Sequence, residues 1–177
     1  LGSRSMLPTA PRIRLLASLV AGMVMACSGP EGAGRLDARW VGSDTGAFAG
    51  TPKVTWCGSI QRLEVTAVDG NDAAVGLVIY PVKELRTGRY EAFDPGIDSV
   101  RRPGVAGASR FFTEQAVKGF QSDSGELELE RSGTTFSARF GFRMRSLEGR
   151  DTVRLSGRFR DAVPGPCPGD TTTAVAS

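Results

Sequence analysis

The chain contains no histidine. That absence removes Ser-His-Asp and Cys-His nucleophile systems, imidazole acid–base work, and histidine-ligated zinc, copper or iron. Lysine is scarce: Lys53, Lys83 and Lys118 complete the set, so a Ser-Lys dyad has little to draw on. No phosphate-cradling Walker loop occurs, and no Gly-x-Gly-x-x-Gly follows a strand pattern. Beyond the N-terminal region no window carries the apolar stripe of an amphipathic helix. With three cysteines, two of them distant, four zinc ligands cannot be assembled. Asp94 with Asp98, and Asp69 with Asn71 and Asp72, offer oxygens but not the twelve-residue calcium loop. No metal and no cofactor are expected.

What is present begins at the N-terminus. Met6 reads as a start, and residues 1–5 are set aside. Arg12 and Arg14 precede a mostly apolar run over residues 13–25. The run is too short for a bilayer-spanning helix, which needs about 20 apolar residues. Its length and charged flank are those of a signal-peptide core. The run ends in Val24-Met25-Ala26-Cys27, which resembles the lipobox of bacterial lipoproteins. Val24, Ala26 and Cys27 fit that pattern; Met25 departs from the small or hydroxylated residue usual before the last alanine. The resemblance implies cleavage before Cys27, a diacylglyceryl group on its thiol, and a membrane anchor in the bacterial cell envelope. The alternative is an ordinary secretory signal with a chance cysteine.

Processing changes the charge. The chain has 22 Lys+Arg and 19 Asp+Glu. Arg4, Arg12 and Arg14 lie before Cys27 and no acid does, leaving 22 − 3 = 19 basic residues against 19 acidic ones. A global case for nucleic acid fails on that balance. Lipid on Cys27 would leave Cys57 and Cys167 as a pair, and an oxidising compartment favours a disulfide over two free thiols.

The chain divides into residues 1–26, removed with the signal; 27–35, a lipidated cysteine and Gly-rich tether; 36–168, one domain; and 169–177, a patternless tail. Within the domain the period is two. Phe136, Ala138, Phe140, Phe142 and Met144 share one face of 134–145, with Arg139, Arg143 and Arg145 opposite. Val153, Leu155 and Phe159 alternate with Arg154, Arg158 and Arg160. Leu127 and Leu129 alternate with Glu126, Glu128 and Glu130. Turn signals at Ser132-Gly133 and Glu148-Gly149 make 125–161 a three-strand meander. Further strands are expected at 35–42, 59–68, 73–80, 88–93 and 109–113, with 75–80 central because it is apolar on both faces. Such short, alternating strands predict an all-β antiparallel sandwich of about 8–10 strands, a closed barrel being the alternative. Thr87-Gly88-Arg89-Tyr90, Ser124-Gly125-Glu126-Leu127, Phe140-Gly141-Phe142 and Gly157-Arg158-Phe159 together resemble the layout of small, uncharacterised all-β lipoprotein domains of bacteria. That resemblance implies a sandwich and no activity.

The meander's register carries the functional expectation. Met144 should face Val153, Phe142 Leu155, and Ala138 Phe159. The same register sets Arg143 against Arg154 and Arg139 against Arg158, with Glu126 opposite Arg139. Like charges directly opposite repel. Either flanking glutamates compensate them on a solvated face, or Arg139, Arg143, Arg154 and Arg158 form an anion-binding face of guanidinium forks. The Pro- and Gly-rich residues 94–109 read as a long loop. Trp40, Trp56, Tyr80, Tyr90, Phe111 and Phe112 read mainly as core, Trp56 beside the disulfide. The function expected is a membrane-anchored, non-enzymatic binding module. Its partners would be the membrane, through Cys27, and an anionic glycan or envelope protein, with no nucleic acid. The alternative is a carboxylate-dependent hydrolase of envelope polymers using Asp94, Asp98 or Glu114.

Overall fold

The computed structural model describes residues 34–81, 84–96, 103–112 and 116–168. Cys27, the signal and most of the tether, the tail, Asp98 and Glu114 lie outside those residues. The domain is all-β. Its strands are β1 (Arg35–Gly42), β2 (Thr45–Gly50), β3 (Lys53–Cys57), β4 (Arg62–Val68), β5 (Ala74–Tyr80), β6 (Gly88–Glu91), β7 (Gly104–Phe112), β8 (Val117–Ser132), β9 (Thr135–Ser146), β10 (Thr152–Ala162) and β11 (Gly165–Pro166). A single 3-10 turn, Gly58–Ile60, lies between β3 and β4. All strands join one sheet in the order β11-β3-β4-β5-β7-β8-β9-β10-β1-β2, and β6 pairs with β8 off that path.

The sheet is strongly curled, and the chain shows why. β2 and β3 stand near opposite ends of the sheet path, yet only Thr51 and Pro52 connect them. So short a link cannot bridge the width of a flat sheet, so the two ends are drawn together at that corner. Stacking across the interior closes the same curl: Trp40 of β1 lies on Phe111 of β7, ring centroids 3.6 Å apart and 12° from parallel. The strands β8, β9 and β10 lie between them in the sheet. Trp40 fits only because Gly46 stands opposite it on β2; a Cβ there would run into the indole. Among the described residues β2 has no partner on its far side, so the result is an open, half-barrel sheet.

Alternation builds the core. Inward residues of β8, β9 and β10, including Leu127, Phe142, Met144, Leu155 and Phe159, are at most 1% exposed. Each such side chain withdraws roughly 1.5–3 kcal/mol of apolar surface from water. The expected pairs form: Met144 with Val153, Phe142 with Leu155, Ala138 with Phe159. β5 is central as expected, between β4 and β7. β8 is long because it serves two neighbours. Its first part pairs with β7 and residues 126–129 pair with β6. The change comes at a bulge between Ser122 and Ser124. There the fully buried Ser122 hydroxyl accepts from the Gly107 N–H at 2.9 Å and donates to the Phe93 carbonyl at 3.0 Å. That one side chain ties together both neighbours' approaches to β8.

Three expectations are corrected. Part of the loop expected over 94–109 is strand: Gly104–Phe112 is β7, and Gly104 to Gly107 are buried. Its small residues fit under neighbours, Phe142 lying directly over Gly107. The β8–β9 turn is one residue later than expected. Ser132 pairs with Thr135, and Gly133 takes φ +58° at the first loop position, as two-residue hairpins allow glycine to do. Glu128, not Glu126, therefore stands opposite Arg139, and Glu126 stands opposite Gly141. Finally, β2 and β3 occupy residues for which no strand was expected.

Cys57, at the end of β3, bonds Cys167, 110 residues later. The bridge holds the short parallel strand β11 against the outer side of β3. In the chain-entropy picture a loop of that length contributes about 4–5 kcal/mol by restricting the unfolded chain. Trp56 sits beside it, half-buried.

Candidate functional site: an arginine trough

The outward positions of β9, β10 and β1 meet in register. Arg143 faces Arg154, which faces Val41. Gly141 faces Ser156, which faces Arg39. Arg139 faces Arg158, which faces Asp37. All four arginines expected to share a face therefore do so, and Arg39 joins them. The floor between the arginine rows is low because Gly141 and Ser156 carry little or no side chain. A hollow of about 550 Å³ lies over Arg39, Arg139, Ser156, Arg158 and Asp37. A second, of about 470 Å³, lies over Arg39, Val41, Arg143, Arg154 and Ser156. The two share Arg39 and Ser156 and so form one shallow trough.

Some carboxylates near this face are taken by other arginines, whereas Glu130 and Asp161, which line a hollow with Arg139 and Arg158, form no ion pair among the described residues. Asp37 binds Arg35 at 2.7 Å and Arg160 at 3.8 Å. Asp123 lies 3.5 Å from Arg143, and Glu126 lies 3.3 Å from Arg89. Arg39, Arg139, Arg154 and Arg158 have no carboxylate partner among the described residues; Arg39 reaches only the Ser156 hydroxyl, at 3.4 Å. Glu128 stands opposite Arg139 in register, but no ion pair joins them. Opposed arginines raise the local positive potential, and a guanidinium presents a planar donor fork suited to oxyanions. The arrangement can hold anions.

Arg39 was absent from the sequence-derived set. It reaches the trough through the β1–β10 pairing, which joins residues more than a hundred positions apart, and no local pattern encodes that. Its only local signal is alternation with Ala38 and Trp40 in β1.

Asp94 has a different setting from the one a hydrolytic acid needs. Its side chain is 9% exposed. It accepts from Arg145 Nη2 at 2.5 Å, Gln121 Nε2 at 3.0 Å and the Gly96 N–H at 2.8 Å. Three of its roughly four lone-pair directions are engaged in holding the start of the 94–109 segment to β8 and β9. Asp69 is likewise occupied, accepting from the Asn71 and Ala73 N–H groups at 2.8 and 3.0 Å in a tight turn. Among the described residues no cluster of three metal-ligating side chains occurs. Trp40, Tyr90 and Phe111 are core, whereas Phe112 is 47% exposed. Burial raises the Tyr90 phenol above its ordinary value, against the lowering effects of its hydrogen bond to the Arg86 backbone and the nearby Arg86 charge.

No protein-family model, curated protein or solved structure matches this chain. The functional reading therefore rests on the residues alone.

Proposed function

We propose that this protein is an exported bacterial lipoprotein, anchored to the envelope through lipid on Cys27, whose curled sheet presents the arginine trough to an anionic envelope polymer. The finer fold reading is a β-sandwich, two halves of the one sheet facing each other across the shared core. It acts by binding, without catalysis. The observation that carries the reading is the set of four arginines, Arg39, Arg139, Arg154 and Arg158, gathered on one face with no carboxylate partner among the described residues. A face kept only for solubility would gain by pairing them, since each exposed pair adds up to about 1 kcal/mol.

Two measurements test the reading. Intact mass of the membrane-fraction protein should give a chain starting at Cys27 plus a diacylglyceryl group. Cleavage elsewhere without lipid would remove the anchor. Retention on immobilised phosphate- and sulfate-bearing polymers should be strong for the native protein and lost in the Arg139→Ser/Arg158→Ser variant. Equal retention of the two would remove the site.

A further inference from the structure

The spacing of the trough selects among anionic ligands, an inference that rests on the anion-binding reading above. Outward positions recur every second residue, about 6.6 Å along a strand. Arginine occupies three consecutive rows at that interval: Arg143 with Arg154, then Arg39, then Arg139 with Arg158. The trough therefore offers positive charge at three evenly spaced steps over about 13 Å. Its floor at the middle row is Gly141 and Ser156, so an extended chain crossing that row meets only a serine hydroxyl and the Arg39 side chain bonded to it.

What the face lacks is equally selective. Phe140, beneath the trough, is 5% exposed and points inward. No exposed aromatic side chain stands among the described residues of this face. Nucleobases and sugar rings are held largely by stacking on such rings, and nothing here supplies a platform. The outer rows each set two arginines directly opposite one another across β9 and β10. Two forks from opposite sides suit a tetrahedral oxyanion better than a planar carboxylate, which one fork already satisfies. Lipid headgroups, being laterally mobile, would need no fixed spacing.

We propose that the trough binds an extended, acyclic polyol chain linked by phosphodiesters, with three successive phosphates seated on the three arginine rows. Calorimetric titration of glycerol phosphate oligomers of one to six units into the native protein tests this. Affinity should climb at least tenfold from one unit to three and then level off, because three linked contacts act at high effective concentration. Arg39→Gln should remove most of that climb. Circular dichroism should match the native protein, and Arg39→Lys should restore part of the climb. Single-stranded DNA, a sulfated glycan and phosphatidylglycerol vesicles, matched in charge, should bind more weakly. A smooth rise with length, or equal binding of any of those three probes, would overturn the spacing inference while leaving an arginine-dependent anion site in place. Absence of binding to every polyanion would overturn both.

Discussion

Arg139 and Arg145 lie on the same strand and the same face, yet their circumstances are opposite. Arg145 reaches Asp94, whose carboxylate is 9% exposed and also serves Gln121 and a backbone N–H. Arg139, six residues away, faces another arginine and has no carboxylate partner among the described residues. Local sequence does not distinguish them, since both sit in an alternating run of arginine and apolar residues. Their neighbours across the sheet do. At the Arg145 end a buried acid consumes the charge and fixes a loop. In the middle of the face Glu128 and Asp37 share the row of Arg139 and Arg158 without forming an ion pair with either arginine, and the charge stays available. Structural arginine and binding arginine differ here by whether a carboxylate closes on them: Asp94 closes on Arg145, and none among the described residues closes on Arg139.

Breaking the paired end should have the largest effect. Asp94→Ala should cost about 1–3 kcal/mol, because it orphans the Gly96 N–H and the Gln121 amide and leaves Arg145 without its partner. The shift of the urea midpoint measures it; a change below about 0.5 kcal/mol would mean the network is incidental. Converting the open region into a paired one should have the next largest effect. Ser156→Glu puts a carboxylate between Arg39, Arg139 and Arg158, so stability should rise by less than about 1 kcal/mol while polyanion binding falls at least tenfold. Unchanged binding would show that the trough is not the site. Removing one charge from the open region should be smaller still: Arg158→Ser should alter stability by no more than about 0.5 kcal/mol. A clear loss in the same denaturation assay would reveal a structural partner.

The smallest effect is on the inward side of the same sheet. The Tyr90 phenol is raised by burial, so the fold favours its protonated form. Its contribution is full below the ordinary tyrosine value of about 10 and is lost as pH rises through the folded value. Urea midpoints between pH 8 and 11 should fall more steeply for the native protein than for Tyr90→Phe. Parallel curves would show that Tyr90 is not closed off from water.

Legibility followed the range of the interactions. The β9–β10 register was readable from Met144–Val153 to Ala138–Phe159, because long alternation and facing apolar residues favour one register; the connection is longer than the two-residue turn expected at Glu148-Gly149, and the register shift between Phe159 and Ala162 had no local signal. The β8–β9 register was missed by one turn position. Ser132-Gly133 and Gly133-Thr134 both satisfy a hairpin, and the choice moved Glu126 away from Arg139. β2 was invisible because two of its three inward positions are glycine, and those glycines are required by Trp40 and Phe48, whose rings fill their place. The first half of β7 looked like a loop for a similar reason: Gly104, Ala106 and Gly107 are small where Phe93 and Phe142 pack against the strand. Large residues announce the core, while the small ones that admit them are silent. The trough was half legible for the same cause, its hairpin arginines being local and Arg39 arriving from the chain's other end.

The salt dependence of binding to poly(glycerol phosphate) tests the central claim most directly. Each guanidinium that replaces a counterion adds about −0.7 to the slope of log affinity against log salt for a single flexible polyanion. The native protein should show a slope between about −2 and −3, and the variant with Arg39, Arg139, Arg154 and Arg158 all changed to serine should show a slope near zero with little residual affinity. A variant that keeps the native slope and affinity would contradict the account, because charge outside the trough would then be holding the polymer.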